Sequence, residues 1–239
     1  MEKMLFRWSL VLMILSLTLF KISSSNSYRD ASVIYLPEEH DSIQDHKFQE
    51  EVIRKLHREG YRIVIAMEMF QQPFQKYLDE YISGKISEEE MLEKTEYRKR
   101  WGFNQEYYAP IWRFAKERGI KIYAINISTE LVRRIGAEGL EKVKDPMLPE
   151  RIYEHTPQEK ERLKSVLKNH PPVEEKRFYD VQLAWDNAMA LKIVRILEQE
   201  KDSKVVVLLG KGHAFDLNSG VPRIVGLLRE GTKQVIMER

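Results

Sequence analysis

The chain has 239 residues, 43% of them apolar and 32% charged, with 39 basic against 37 acidic side chains. That balance excludes a largely disordered chain, and the length suits one well-buried core. The lack of cysteine excludes disulfides, thiolate metal sites, cysteine nucleophiles and a lipidated amino-terminal cysteine.

The opening stretch MEKMLFRWSLVLMILSLTLFKISSSNS passes from a short basic start (Lys3, Arg7) through an apolar run at 8–20 into small polar residues. This is the order of a secretory signal, and the run is too short to cross a hydrocarbon core of about 30 Å. Residues 1–27 are therefore expected to be a signal peptide or amino-terminal anchor, cleaved at 23–27, and residues 28–239 a single domain. The protein is expected to be exported, and to be periplasmic, extracellular or membrane-anchored through this segment alone. The segment holds Lys3, Arg7 and Lys21 against Glu2, which is the whole formal charge of +2. The remainder is formally neutral and has no dense basic stripe, so no nucleic-acid partner is expected.

SVIYL (32–36) is the first of several near-continuous apolar runs, the pattern of strands covered on both faces. A helix comes next: Ser42 and Asp45 suit a capping box, Phe48, Val52, Ile53 and Leu56 share a face, and Gly60 ends it. RIVIAM (62–67) is the second strand. Pro73 suits a helix start, ISEEEMLEKTEY reads as another helix, and WGF (101–103) reads as an aromatic plug between helices. A helix from Glu106 through IWRFAKERG leads into the third strand, IKIYAI (120–125). KDPMLPERIYEHTP (144–157) reads as an exposed linker. A long helix from about Glu174 through FYDVQLAWDNAMALKIVRILEQE precedes the fourth strand, KVVVLL (204–209), and QVIM suits a short edge strand. The fold class is α/β: a mainly parallel sheet with flanking helices and an inserted helical cap over the carboxyl ends of the strands.

Each of the four long strands ends in polar residues. The first runs into Pro37, Glu38, Glu39 and His40, the second into Glu68, the third into Asn126, and the fourth into Gly210, Lys211, Gly212 and His213. In an open parallel sheet these ends share one edge, where ligands bind. Residues two apart in extended chain point to one side, so Glu38 and His40 are expected to face a common pocket and Glu39 to turn away. Glu68 lies between Met67 and Met69, and a carboxylate in such surroundings needs a partner. Glu38, His40, Glu68 and His213 together suit a metal site for zinc, manganese or iron(II), or a catalytic cluster. Gln182 and Asp186, at i and i+4 on the long helix beside Trp185, are expected to support them. GKGH lacks the spacing of a phosphate-binding loop. The aromatic-rich stretches suit helix packing, and equally a flat ligand with a tyrosine on iron. His46, His57, His155 and His170 read as surface residues.

EEHD, AMEMFQ, RWGF, YAINIS, RFYDVQLAWDNAMA, LLGKGHA and GVPR occur in this order between about residues 32 and 223. Through them the chain resembles the ChaN-like haem-binding uptake family, a branch of the Tiki, TraB and erythromycin-esterase superfamily. The resemblance implies an exported α/β protein of haem or iron acquisition, with haem held near the lid and between two subunits of a homodimer. It places Glu38, His40, Glu68 and His213 at the superfamily's motif positions; Asn126 from its strand end, and Gln182 and Asp186 from their helix spacing, are expected as further cofactor contacts. Tyr97, Tyr107, Tyr108 and Tyr179 are then the candidate ligands to haem iron. The alternative it implies is a metal-dependent hydrolase, in which Glu38, His40, Glu68 and His213 hold a divalent ion or activate a water. Pro37 stands where the family's first motif begins with glycine, and removes an N–H. The family's usual lipid attachment needs a cysteine that this chain lacks.

Overall fold

A computed structural model of the chain describes residues 27–168 and 173–239. The expected signal segment up to residue 26 and His170 lie outside the described residues. In chain order the elements are α1 (Ser27–Asp30), β1 (Val33–Glu38), α2 (Ile43–Arg58), β2 (Ile63–Gln71), α3 (Gln75–Ile82), α4 (Glu88–Lys94), α5 (Tyr97–Arg100) and α6 (Ala109–Arg118). They continue as β3 (Ile122–Asn126), α7 (Thr129–Glu138), α8 (Pro157–Lys168), α9 (Glu175–Gln199), β4 (Lys204–Gly210), α10 (Gly220–Leu228) and β5 (Gln234–Ile236).

The apolar runs become five parallel strands in the order β3-β2-β4-β1-β5. Strands of one direction need long crossovers, and the helices supply them. Alternate residues of each run go to opposite cores. Ile34, Leu36, Ile65, Met67, Val206 and Leu208 pack with Val52, Ile53, Leu56 and Trp112 on one face. Val33, Tyr35, Val64, Ala66, Val205 and Val207 pack with Met189, Ile193, Val221 and Ile224 on the other. Both faces are buried, which is why the strands show no polar alternation.

Pro37 is accommodated by the short reach of β5. Val33 and Tyr35 direct their backbone bonds towards that side, to Lys233 and Met237, so Pro37, two residues on, has its nitrogen there too. The pairing with β5 stops at Tyr35 opposite Ile236, and the missing N–H costs no ladder bond.

Ser42 caps α2 as expected, its hydroxyl accepting from the Asp45 N–H at 3.3 Å. The capping box is only half formed. The Asp45 carboxylate accepts instead from the Glu39 N–H at 3.0 Å and from Lys211 Nζ at 3.1 Å, tying the turn after β1 to the turn after β4. Ser87 and Glu90 make a full box at the start of α4, and Pro73 opens the turn that runs into α3.

Residues 71–118 bring Leu78, Tyr81, Met91, Tyr97 and Tyr108 into the first core. Two expectations are corrected in the connecting segments. WGF is a plug only in part: Trp101 is half-buried and packs on the first core, whereas Phe103 is exposed, and both rings lie against His40. Nor is 144–157 an exposed linker, since Leu148 and His155 are buried. It lacks regular secondary structure because some of its backbone groups bond to side chains, as Tyr153 does to Asn187, so no periodic pattern marks it.

Candidate functional site

The site is set by register. Glu38 at the end of β1 lies level with Gly210 at the end of β4, and Met67 of β2 pairs with Leu208 of the same strand. The residues after three adjacent strands therefore meet in a row. A bulge sharpens this: β2 spends five residues, Met67 to Gln71, against three, Ala124 to Asn126, of β3. Bulges re-aim side chains, and Glu68 sits inside this one. Asn126 Nδ2 holds the Glu68 carbonyl at 3.0 Å.

Glu38, 1% exposed, is the acceptor for several donors. His40 Nδ1 lies 2.9 Å and the Tyr108 hydroxyl 2.5 Å from its Oε1; Gln49 Nε2 lies 2.7 Å and His46 Nδ1 3.5 Å from its Oε2. Burial pushes the Glu38 carboxyl up, but bonds from His40, His46 and Tyr108 and the His46 charge outweigh it and bring the pKa down to about 2. Glu39 turns out to solvent, as the two-residue alternation requires.

Glu68 Oε2 accepts from the Gly210 N–H at 2.7 Å, and its Oε1 lies 3.5 Å from His213 Nε2. His213 Nδ1 is bound to Asp186 Oδ1 at 2.6 Å. Asp186 presents its other oxygen to His155 Nε2 at 3.6 Å. Two carboxylates, Glu38 and Asp186, are thus each set between two imidazoles. For His213 burial lowers the pKa, yet the Glu68 charge and the Asp186 bond and charge raise it to about 9. His40 is raised too, burial being outweighed by Glu38 and Glu68. Asp186 is held low by His155 and His213 against its burial.

Gly210 is the contact between the two halves. A Cβ there would meet His40 Cε1 at 2.9 Å, His40 Nε2 at 3.0 Å and Glu68 Oε2 at 3.7 Å, so only glycine leaves room for the imidazole edge. Trp101 and Phe103 flank the His40 ring, with centroids 4.7 and 4.9 Å away, and Trp185 stands 6.2 Å from His213.

Glu38, His40, Glu68 and His213 thus converge as expected, and Asp186 touches the cluster directly. Gln182 is half-buried and is not among the side chains bonded to it. His46 and His155 were expected on the surface and are 3% and 6% exposed. His46 was legible: it falls with Gln49, Ile53 and Leu56 on one face of α2 at helical spacing. His155 had no such signal. His57 is half-buried, edge-on to Phe114 at 5.5 Å.

Among the described residues no set of three His, Asp or Glu side chains is disposed to hold a metal ion. Both His40 and His213 give Nδ1 to a carboxylate, and the Glu68 oxygens are directed to Gly210 and His213. Carboxylates set against imidazoles can store, orient and pass protons. Of the tyrosines, Tyr97 and Tyr108 are buried, and burial with the nearby Glu38 charge pushes both hydroxyls far up. Tyr107 is half-buried and stacks on His46 at 5.2 Å. Tyr179, at the start of α9, is half-buried, its hydroxyl also pushed up by burial.

The fold is shared with solved structures. ChaN of Campylobacter jejuni, for which cofacial heme binding is described, is 20% identical with a TM-score of 0.63, covering 87% of this chain and 81% of that one. An erythromycin esterase variant in its open conformation is 18% identical with a TM-score of 0.52, covering 87% and 69%. The C-terminal region of Pasteurella multocida toxin, with a thiol-protease-like catalytic triad, is 13% identical with a TM-score of 0.54, covering 89% of this chain and 23% of that one. No curated protein matches. The family described as haem-binding uptake, Tiki superfamily, ChaN matches residues 25–225, and the chain belongs to that family.

Proposed function

We propose that this chain is an exported haem-binding protein of iron acquisition, which carries an iron porphyrin as cargo at the carboxyl end of its sheet. The family match over residues 25–225 carries the reading; export rests on the basic, apolar, polar order of the first residues. The exposed ring of Phe103 and the half-buried rings of Trp101 and Tyr107 suit the face of a flat apolar macrocycle. Bound haem brings an iron whose open axial position takes a protein oxygen or nitrogen. Tyr97 and Tyr108 do not fit that role, being buried with hydroxyls held protonated. Tyr107, beside the His46 that bonds the His40 carbonyl at 3.1 Å, fits better.

Titrating the full chain with haemin is expected to give a saturable Soret shift near one haem per chain, with the band moved in Tyr107→Phe and unmoved in Tyr108→Phe. Uptake without saturation overturns the carrier.

A second reading, a hydrolase at the same strand ends, is favoured by one observation: two imidazoles, each bound to a carboxylate through Nδ1, flank Glu68. In it Glu68 takes a proton from water and the His213 imidazolium gives one to the leaving group. Elemental analysis of the purified chain tells whether zinc or manganese takes part. Any turnover is expected to fall by about 10²–10⁴-fold in Glu68→Gln, and turnover that survives the change rules this arrangement out.

A further inference from the structure

We infer that His155 is a positioning residue for His213, acting through Asp186, and that the segment 153–159, irregular up to residue 156 and then entering α8, is the strap that holds it in place. Nothing in the regular fold requires a histidine here. Its side chain is almost wholly buried, and its Nε2 has no hydrogen-bond partner. An orphaned polar atom in the interior is costly. What it faces, 3.6 Å away, is the Asp186 oxygen that His213 does not use. At that separation the contact is electrostatic and falls outside hydrogen-bond range. It nevertheless sets the carboxylate's rotation: with one oxygen drawn to His155, the other is left to the His213 Nδ1–H. His213 then presents Nε2 to Glu68.

The strap is fastened to the helix that carries Asp186 and to α10, whose first residue packs on the turn that carries His213. The Tyr153 N–H donates to Asn187 Oδ1 at 2.8 Å, and Asn187 Nδ2 donates to the Tyr153 carbonyl at 3.1 Å. Asn187 adjoins Asp186 on α9 and is fully buried. At the other end the Glu154 carbonyl accepts from Arg223 at 2.8 Å, and Glu159 Oε1 accepts from the Gly220 N–H at 2.6 Å and from Arg223 Nε at 3.1 Å. Gly220 packs on the His213 carbonyl: a Cβ there would lie 2.2 Å from that oxygen, and its φ is +54. Only glycine fits so close an approach with that backbone. One short segment therefore grips the helix bearing Asp186 directly and the turn bearing His213 through Gly220.

The inference rests on the strand-end cluster being the working site, whether for cargo or for turnover. The test reads His213 itself and is independent of any haemin result. In the full chain, long-range nitrogen NMR is expected to find His155 protonated at Nε2 and a far-downfield His213 Nδ1 proton. His155→Leu, of similar bulk, is expected to shift that proton upfield or broaden it away, and His155→Gln, which restores an N–H near the Nε2 position, to bring it back. An unchanged His213 resonance in folded His155→Leu overturns the inference. So does a His155 proton on Nδ1 in the unaltered chain, a result that needs no variant to fold.

Discussion

Replacing Glu38 by alanine is expected to lower the unfolding free energy by about 3–5 kcal/mol, the usual cost of removing one partner from a buried charged cluster. The side chain is almost inaccessible, and of the groups around it Gln49 Nε2 has a second acceptor, the Leu36 carbonyl at 2.8 Å. Removing it leaves the Tyr108 hydroxyl, Gln49 Nε2, His40 Nδ1 and His46 Nδ1 facing a hole lined by donors. Glu38→Gln keeps the shape and one acceptor oxygen, and is expected to cost about 1–3 kcal/mol, the penalty of unmatched buried donors. Urea unfolding of the two variants measures both. A loss below about 1 kcal/mol in Glu38→Ala, within the range of ordinary surface changes, would mean that water replaces the carboxylate and that the cluster is not closed.

The second large effect is on pH. His213 has its pKa raised from 6.5 to about 9 in the folded chain. A raised pKa contributes stability that is full below the unfolded value and is lost as pH rises through the folded one. Stability should therefore fall between pH 6.5 and about 9 by roughly 3 kcal/mol from this group. Glu38 works in the opposite sense, its pKa lowered from 4.5 to about 2. Its contribution is full above 4.5 and is lost as pH falls towards about 2, again by roughly 3 kcal/mol. The expected profile has a plateau between these limits. His213→Asn should remove this group's share of the alkaline fall, leaving the share of His40 and His46, whose pKa values are also raised, and leave the acid one. A fall above pH 6.5 that persists unchanged in His213→Asn would assign it to another group.

The strands were legible because a doubly covered parallel strand must be apolar along its length, and β1 to β4 show runs of that kind. Their polar ends were legible for a related reason: carboxyl ends of parallel strands share an edge, so Glu38, Glu68 and His213 had to lie near one another. Glu38 and His40 were paired correctly by the two-residue period alone. The rest depended on contacts that local pattern does not carry. His155 reaches Asp186 from a segment with no period, held by Asn187 and Arg223 far along the chain. Trp101 and Phe103 were read as helix packing, although a ring beside a loop histidine and a ring between helices look the same in one dimension.

What the sequence by itself determined is the α/β class, the edge at which chemistry is gathered and the residue types gathered there. The tertiary structure decided which carboxylate serves which imidazole. That choice comes from register: Glu38 opposite Gly210, a bulge that turns Glu68, and a helix that brings Asp186 under His213. Register is fixed by packing between elements as distant as the 142 positions separating Glu68 from Gly210, and a period read over a few residues carries no information at that range.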